Sequence, residues 1–191
     1  NDAQFFKQFK GGSHIWVESM GLTGDRLRGR TADCIFFDEV QDMLEGAISN
    51  SVRILNQAKY GKPGQGIQTF FGTPKKKGST FHKMWNMSNQ QYYHLGCEQC
   101  KGFFQLHTPD SEDWEQIWLH DFIVKCPDCG CEQDKRPAAE RGKWVATRPL
   151  EECTMVGFHI NQLYMPTISK ESVIAEKPGI HPVNTERAYQ N

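Results

Sequence analysis

The stretch that decides the fold reads CIFFDE at residues 34–39, four apolar residues followed by two adjacent carboxylates. A short, continuous apolar run is typical of a β-strand covered on both faces, as in a parallel sheet. We therefore predict a buried strand over Cys34–Phe37, with Asp38 and Glu39 at its carboxyl end. In open α/β sheets, ligands bind beyond this end of the strands.

The segments that follow continue a pattern of alternating helices and strands. Apolar residues over Leu44–Leu55 recur at spacings of four, four and three, which predicts a helix of about four turns ending near Gly61. Gly66–Phe71 reads as the next strand, and Ser79 can cap a helix that runs through Met87. Strand, helix, strand, helix is the order of an α/β fold with a mostly parallel sheet.

The two carboxylates suit a site that hydrolyses a nucleotide. Asp38 can hold Mg²⁺ directly or through water, and Glu39 can orient and deprotonate the attacking water. The alternative is that both simply open the next helix, whose positive end favours carboxylates. Two neighbouring features favour the hydrolytic interpretation. These are the basic loop of Arg26, Arg28 and Arg30, which can stabilise developing charge, and the turn Gly72-Thr73-Pro74, whose hydroxyl can sense the γ-phosphate.

A specific resemblance emerges when these elements are taken in order. RGRTADCIFFDEVQDM at residues 28–43, followed by FGTP at residues 71–74, resembles the Walker B segment and coupling motif of the large terminase subunit of the gpA-like type. That subunit is the motor ATPase that packages DNA into tailed-phage heads. GKWVAT at residues 142–147 and GFHINQLY at residues 157–164 are similar to the stretch that, in this family, leads toward the nuclease.

The resemblance implies both a fold and residue roles. The fold is a P-loop NTPase sheet of the ASCE or RecA-like type, incomplete because no G-x-x-x-x-G-K-[ST] occurs in the 191 residues. Asp38 is the implied Mg²⁺ carboxylate, Glu39 the catalytic carboxylate, and Gly72-Thr73-Pro74 the segment that couples ATP hydrolysis to DNA movement. The resemblance also implies an arginine finger, an arginine that contacts the nucleotide bound to a neighbouring subunit. Arg28 is the first candidate among the three arginines.

The same resemblance implies partners. They are double-stranded DNA, the portal protein, the small terminase subunit and further copies of the chain in a homo-oligomeric ring. Three consecutive lysines, Lys75, Lys76 and Lys77, directly follow the Gly-Thr-Pro turn and can hold a DNA phosphate backbone. The alternative is that these lysines form an ordinary solvated loop.

Four of the seven cysteines form two Cys-x-x-Cys pairs with 25 residues between them. The pairs are Cys97 with Cys100 and Cys126 with Cys129. Four thiolates satisfy a closed tetrahedral zinc site, so we predict a structural Zn²⁺ in a zinc-ribbon-like insert. Disulfides are the alternative, and Cys131 is an alternative ligand to Cys129. Because the insert has few aliphatic side chains, we expect the metal to supply much of its folding free energy.

The predicted organisation has four parts. Residues 1–91 are the C-terminal part of the ATPase core, residues 92–135 the zinc-ribbon insert, residues 136–165 a return to the core, and residues 166–191 a linker toward a nuclease domain. The longest apolar run has four residues, far below the roughly 18 that span a bilayer, so no membrane association is expected.

No secretion signal is recognisable, so we expect the host cytoplasm. We also expect an internal fragment that by itself binds ATP poorly and does not turn it over.

Two other functions stay open at this point. A helicase-like DNA translocase would use the same Asp-Glu chemistry, although helicases usually place Ser-Ala-Thr where this chain has Gly-Thr-Pro. A non-enzymatic zinc-ribbon adaptor on a decayed nucleotide fold is the other alternative. A Gly-rich phosphate loop encoded before residue 1 would favour a motor over the adaptor.

Overall fold

The computed structural model describes residues 6–106 and 114–176. Over these residues the chain is a mixed α/β protein with four small sheets. It divides into two units. The first runs to Pro74 and includes Gly78–Phe81, and the second contains Lys75–Lys77 and the chain from His82 onward. Within the described ranges, no helix combines the length and the apolar character needed to cross a bilayer.

The first unit begins with an exposed antiparallel hairpin and continues with a parallel strand pair and short helices. Its elements are β1 (Phe6–Gln8), β2 (His14–Trp16), a 3-10 turn (Asp25–Leu27), β3 (Cys34–Phe37), a 3-10 turn (Val40–Asp42), α1 (Glu45–Ser51), a 3-10 turn (Val52–Leu55) and β4 (Ile67–Phe70). The helix α2 (Thr80–Asn86) follows, and only Thr80 and Phe81 of it belong to this unit.

The strands β3 and β4 pair in parallel, so that Cys34 faces Ile67 and Phe37 faces Phe70. The rings of Phe37 and Phe70 stack with their centroids 5.1 Å apart. Ile35 and Phe37 are buried, as are five residues of the segment that follows: Val40, Ala47, Ile48, Ser51 and Leu55. One face of the pair therefore carries the core of this unit.

The opposite face of β3 is exposed to solvent, which contradicts one prediction from the sequence. Phe36 is 67% exposed and Cys34 is also exposed, so the strand is not covered on both faces by the described residues. The apolar run nevertheless forms the expected strand. Its outward side chains include Phe36, which stacks on Phe71 across the pair at 6.4 Å.

The helix after β3 is shorter than the sequence predicts. α1 ends at Ser51, and a 3-10 turn continues it to Leu55 rather than to the vicinity of Gly61. The Ser51 hydroxyl donates a hydrogen bond to the carbonyl of Ala47 at 2.8 Å, and back-bonding of this kind weakens a helix interior. The β-branched Val52 and Ile54 add to this effect because they lower helix propensity.

The second unit contains two sheets. Its elements are β5 (Gln91–Gly96), β6 (Phe103–Phe104), α3 (Trp114–Ile117), β7 (Trp118–His120), β8 (Ile123–Lys125), β9 (Glu132–Asp134), α4 (Lys135–Glu140), β10 (Lys143–Ala146), a 3-10 turn (Leu150–Glu152), β11 (Phe158–His159), a 3-10 turn (Gln162–Tyr164) and α5 (Lys170–Glu176). β5 pairs antiparallel with β10 and β6 and parallel with β11, while β7, β8 and β9 form an antiparallel sheet.

A continuous apolar core holds the second unit together. Its buried members are Leu95, Cys97, Phe104, Leu106, Trp118, Val124, Cys126, Ala138, Leu163 and Tyr164. Aromatic rings and residues from beyond 135 complete this cluster, so the cysteine-bearing segment packs against more than its own few aliphatic side chains. That the metal supplies much of the folding free energy stays a prediction.

The predicted domain boundaries stay predictions, and the structure adds what each segment contacts. β10 and β11, which the sequence analysis assigns to the returning ATPase core, pair here with β5. The Lys135 ammonium donates to the carbonyls of Leu163 and Ile168 at 2.8 and 2.5 Å and lies 4.0 Å from the centroid of the Trp118 ring. These contacts tie the chain after β11 to the second unit.

The fold class is confirmed at the level of mixed α/β. Parallel pairing occurs between β3 and β4 and between β5 and β11, and the remaining pairs of named strands in the described residues are antiparallel. A mostly parallel P-loop NTPase sheet stays a prediction.

Candidate functional site

The carboxylate pair lies at the carboxyl end of β3, exposed to solvent. The Asp38 carboxylate accepts a hydrogen bond from the Glu39 backbone N–H at 3.0 Å. Glu39 has φ 55°, in the left-handed region that non-glycine residues rarely adopt. The chain turns sharply here, and the Val40 N–H donates to the carbonyl of Phe71 at 3.0 Å. Both carboxylates are therefore accessible at the strand end.

The Gly72-Thr73-Pro74 turn leaves β4 at the same edge. Because β3 and β4 are parallel and paired residue for residue, the residues after Phe37 and after Phe70 emerge side by side. The Phe71 N–H donates to the Phe37 carbonyl at 2.8 Å, which continues the pairing past β4. The structure thus brings together the acidic pair and the turn that the sequence analysis singled out.

Gln41 connects these two elements, and the sequence analysis missed it. Its side-chain amide donates to the Glu39 carboxylate, and its amide oxygen accepts a hydrogen bond from the Thr73 backbone N–H at 3.0 Å. The available signal was an amide residue two positions after the predicted catalytic carboxylate. Nothing in that spacing indicates a contact with a turn 32 residues later in the chain.

The arginine loop lies at the other end of β3. Residues 26–30 precede the strand, whereas Asp38 follows it, and four strand residues span about 13 Å. Arg28 is exposed and pairs with Asp25 at 2.6 Å. Arg30 pairs with Glu18 and lies over the Trp16 ring at 5.4 Å. The structure therefore does not place Arg28 beside the carboxylates of its own chain.

A pocket of about 410 Å³ opens beside this loop. It is lined by Leu27, Arg28, Gly29, Arg30, Asn50, Arg53 and Ile54. Two of the three arginines among these residues already pair with carboxylates, Arg28 with Asp25 and Arg30 with Glu18. Arg53 had not been singled out from the sequence, because it lies 23 residues after Arg30 and on a different element.

The three lysines Lys75, Lys76 and Lys77 are exposed and group with the second unit. Exposed lysines keep their charge accessible to a phosphate backbone. Their role in DNA binding stays a prediction.

The four predicted cysteine ligands converge in the second unit. The sulfur atoms of Cys97, Cys100, Cys126 and Cys129 all lie within 4.8 Å of one another. The Sγ atoms of Cys97 and Cys129 are 3.6 Å apart, and those of Cys100 and Cys126 are 3.9 Å apart. Thiolates at tetrahedral positions around Zn²⁺ are separated by about 3.8 Å, whereas a disulfide requires about 2.0 Å. The cluster fits a metal ion and does not fit disulfides.

The two Cys-x-x-Cys segments share two backbone features. The Cys97 N–H donates to the Gly102 carbonyl at 2.9 Å, and the Cys126 N–H donates to the Cys131 carbonyl at 2.8 Å. The residue after each second cysteine has a positive φ, 60° at Lys101 and 75° at Gly130. Cys131 lies outside the four-cysteine cluster, and its thiol donates to the Glu132 carbonyl at 3.7 Å.

The two buried thiols of the cluster, Cys97 and Cys126, differ widely in pKa. Burial raises the pKa of Cys97, but hydrogen bonds from the backbone of Cys100 and Gln99 and from the neighbouring thiols outweigh it, and the pKa falls to about 6. Burial raises the pKa of Cys126 to about 12. The Cys97 thiol therefore ionises much more readily than the Cys126 thiol, and a cation among the sulfur atoms would favour the thiolate form of Cys126 as well.

Comparison with known families first gives the class, which is an ATPase domain. The chain belongs to the family described as phage terminase large subunit gpA, ATPase domain, whose model matches residues 1–144. This confirms the resemblance inferred from residues 28–43 and 71–74. Neither a curated protein nor a solved structure matched the chain.

Proposed function

We propose that this chain is part of the ATP-hydrolysing motor of a phage terminase large subunit and couples hydrolysis to translocation of viral DNA into the prohead. The observation that carries the proposal is the exposed pair Asp38 and Glu39 beside the turn Gly72-Thr73-Pro74, in a chain whose family is a terminase ATPase domain.

The proposed chemistry assigns one task to each carboxylate. Asp38 is exposed and offers hard oxygen ligands of the kind that Mg²⁺ prefers, so it holds the ion. Mg²⁺, when bound with ATP, neutralises charge on the transferred phosphoryl group. Glu39 orients the attacking water and takes its proton. Thr73, next to this pair, responds to the presence or loss of the γ-phosphate.

Arg28 acts in trans in this proposal. It lies at the end of β3 opposite to Asp38, so a role at its own chain's nucleotide is not supported by the topology. A guanidinium from a neighbouring subunit stabilises the charge of the transition state in many phosphoryl-transfer enzymes. A homo-oligomeric ring then makes each site from two subunits.

The proposed DNA contact, metal, partners and location follow from the same proposed function. Lys75, Lys76 and Lys77 contact the phosphate backbone of double-stranded DNA, and the four cysteines hold a structural Zn²⁺. The portal protein and the small terminase subunit are the proposed protein partners, and the host cytoplasm is the proposed location.

The test uses mixtures of two inactive variants of the full-length terminase. We expect Glu39→Gln and Arg28→Ala each to lose ATP hydrolysis. Mixing them in equal amounts should restore part of the activity, because some sites then combine an intact Glu39 with an intact Arg28 from the neighbour. Arg26→Ala is the matched control and should stay active alone. An active Glu39→Gln variant would contradict the motor, and mixtures that stay inactive would contradict the trans arginine.

A separate assay addresses DNA contact and the helicase alternative. Replacing the three lysines with alanine should lower DNA affinity at low salt and reduce its salt dependence. A helicase-like enzyme would separate the strands of a duplex during ATP hydrolysis, whereas the proposed motor moves the duplex intact. Strand separation by the full-length protein would therefore contradict the packaging assignment.

A further inference from the structure

Gln41 occupies a position where one side chain serves two elements. It lies in the 3-10 turn Val40–Asp42, directly after the left-handed backbone of Glu39. Its Nε2 donates to the Glu39 carboxylate, while its Oε1 accepts from the Thr73 backbone N–H at 3.0 Å. The side chain is half-buried, so water competes only partly for these hydrogen bonds.

We infer that Gln41 is a positioning residue that transmits movement of the Gly72-Thr73-Pro74 turn to the Glu39 carboxylate. The inference rests on the proposed function, in which Glu39 activates water. A shift of the Thr73 N–H moves the amide oxygen that is bound to it, and the amide is rigid and planar. The donor end must then move relative to Glu39, so the geometry of the carboxylate depends on the turn.

The chemistry of the two contacts requires an amide at this position. One end must donate to a carboxylate and the other must accept from a backbone N–H, and a glutamine side chain does both. A glutamate at residue 41 would lack the donor and would repel Glu39. An asparagine would be one methylene shorter and would not span the two partners.

Gly72 provides an independent observation of the same link. A Cβ atom at this residue would lie 2.1 Å from Gln41 Oε1 and 3.3 Å from the Val40 nitrogen. Gly72 is not among the residues with positive φ, so conformational freedom does not explain the glycine. The close approach of the Gln41 amide does, and a side chain at residue 72 would displace that amide.

The experiment measures kcat and KM for ATP in the full-length terminase, with and without DNA. We expect Gln41→Ala to lower the DNA-stimulated kcat about tenfold, because a small misplacement of a catalytic group has effects of this size. The KM for ATP should stay within about twofold, since Asp38, the proposed Mg²⁺ ligand, is unchanged. Gln41→Met keeps the side-chain length without either hydrogen bond and should behave alike. Gln57→Ala, an exposed glutamine of the same unit, is the control.

A double-mutant cycle separates transmission from general damage. Gly72→Ala alone should lower the DNA-stimulated kcat to a similar extent, because its methyl group displaces the Gln41 amide. In the Gln41→Ala background the same substitution should cost little more, since the displaced group is already absent.

Two outcomes would overturn the inference. One is a DNA-stimulated kcat within about twofold of wild type in both Gln41 variants. The other is a Gly72→Ala effect that is equally large with and without Gln41. Glu39→Gln is measured in parallel. If it is inactive while the Gln41 variants are normal, only this inference fails, and if it is active, the proposed function fails as well.

Discussion

In the first unit the side chains predicted to act on ATP are exposed at a strand end, whereas in the second unit two of the four clustered cysteines, Cys97 and Cys126, are part of a continuous buried core. The first unit buries one face of a two-stranded sheet and leaves large apolar side chains such as Phe36 and Phe71 exposed on the other. The second surrounds its sulfur cluster with aromatic and aliphatic residues.

The difference separates two ways of placing a functional group. Asp38 and Glu39 owe their position to strand pairing and to a few hydrogen bonds, one of which the Gln41 amide donates to Glu39. The cysteines owe theirs to a packed core and two matching turns. Substitutions at the end of β3 should therefore lower ATP hydrolysis more than stability. Substitutions in the core of the second unit should lower stability first.

The largest expected effect comes from removing the predicted zinc ion. Cys126→Ser should abolish zinc binding and unfold the second unit, because a structural zinc site contributes on the order of 10 kcal/mol and the remaining thiols are left without a cation. Hydrogen exchange should show loss of protection in β5 and in β7 to β9, while β3 and β4 keep theirs. Cys153→Ser, outside the cluster, is the control and should keep one zinc per chain.

A strong chelator gives the same comparison without a substitution. Zinc content below one equivalent, or unchanged protection of β7 to β9 after chelation, would contradict the metal assignment. Because the second unit also has a buried apolar core, that core could in principle hold the fold without metal. Unfolding after chelation would show that the core alone is insufficient.

The next effect compares the two faces of β3. Phe37→Ala should cost about 3–5 kcal/mol of unfolding free energy because it empties a buried site that is stacked on Phe70. Phe36→Ala should cost less than about 1 kcal/mol in the same chain, since that ring is mostly exposed. Denaturant unfolding of the two variants measures both values. Equal losses would mean that the outer face of β3 is also buried.

Lys135 offers a smaller effect in the second unit. Lys135→Met should destabilise this unit by about 2 kcal/mol, because the carbonyls of Leu163 and Ile168 lose a charged donor. Lys125→Met, at an exposed position of β8, is the matched control and should change little. Thermal unfolding followed by tryptophan fluorescence checks the pair. A Lys135→Met variant as stable as wild type would show that the hydrogen bonds of Lys135 to these two carbonyls contribute nothing to stability.

The smallest effect uses the symmetry of the two cysteine turns. Lys101 has a positive φ where the equivalent residue of the other turn is Gly130. Lys101→Gly should stabilise the unit by about 0.5–1 kcal/mol, while Gly130→Ala should destabilise it by about 1 kcal/mol. Chelator-free thermal unfolding measures both. The same sign for the two changes would contradict the equivalence of the turns.

The sequence predicted the parts of this protein that depend on local pattern. The strand over Cys34–Phe37, the strand before Gly72 and the two cysteine pairs all follow from apolar runs or fixed spacing, and the structure contains each of them. The resemblance to the terminase family depended on the same local motifs and is confirmed by the family match.

The parts that escaped prediction depend on contacts between distant residues. Leu163 and Tyr164 complete a core whose other members begin at Leu95, and no local pattern links them. Gln41 looks like an ordinary polar residue until the parallel pairing brings Thr73 to it. The end of α1 was missed for a local reason, because a serine that bonds back to its own helix does not alter the apolar periodicity.

The most direct test of the account is single-turnover ATP hydrolysis by full-length terminase carrying Glu39→Gln. Glu45→Gln, an exposed carboxylate in the first turn of α1, is measured beside it. The account predicts a rate about a thousandfold below wild type for Glu39→Gln, with ATP still bound and the control unchanged. A Glu39→Gln rate within about tenfold of wild type would contradict the claim that the strand-end carboxylates carry out hydrolysis.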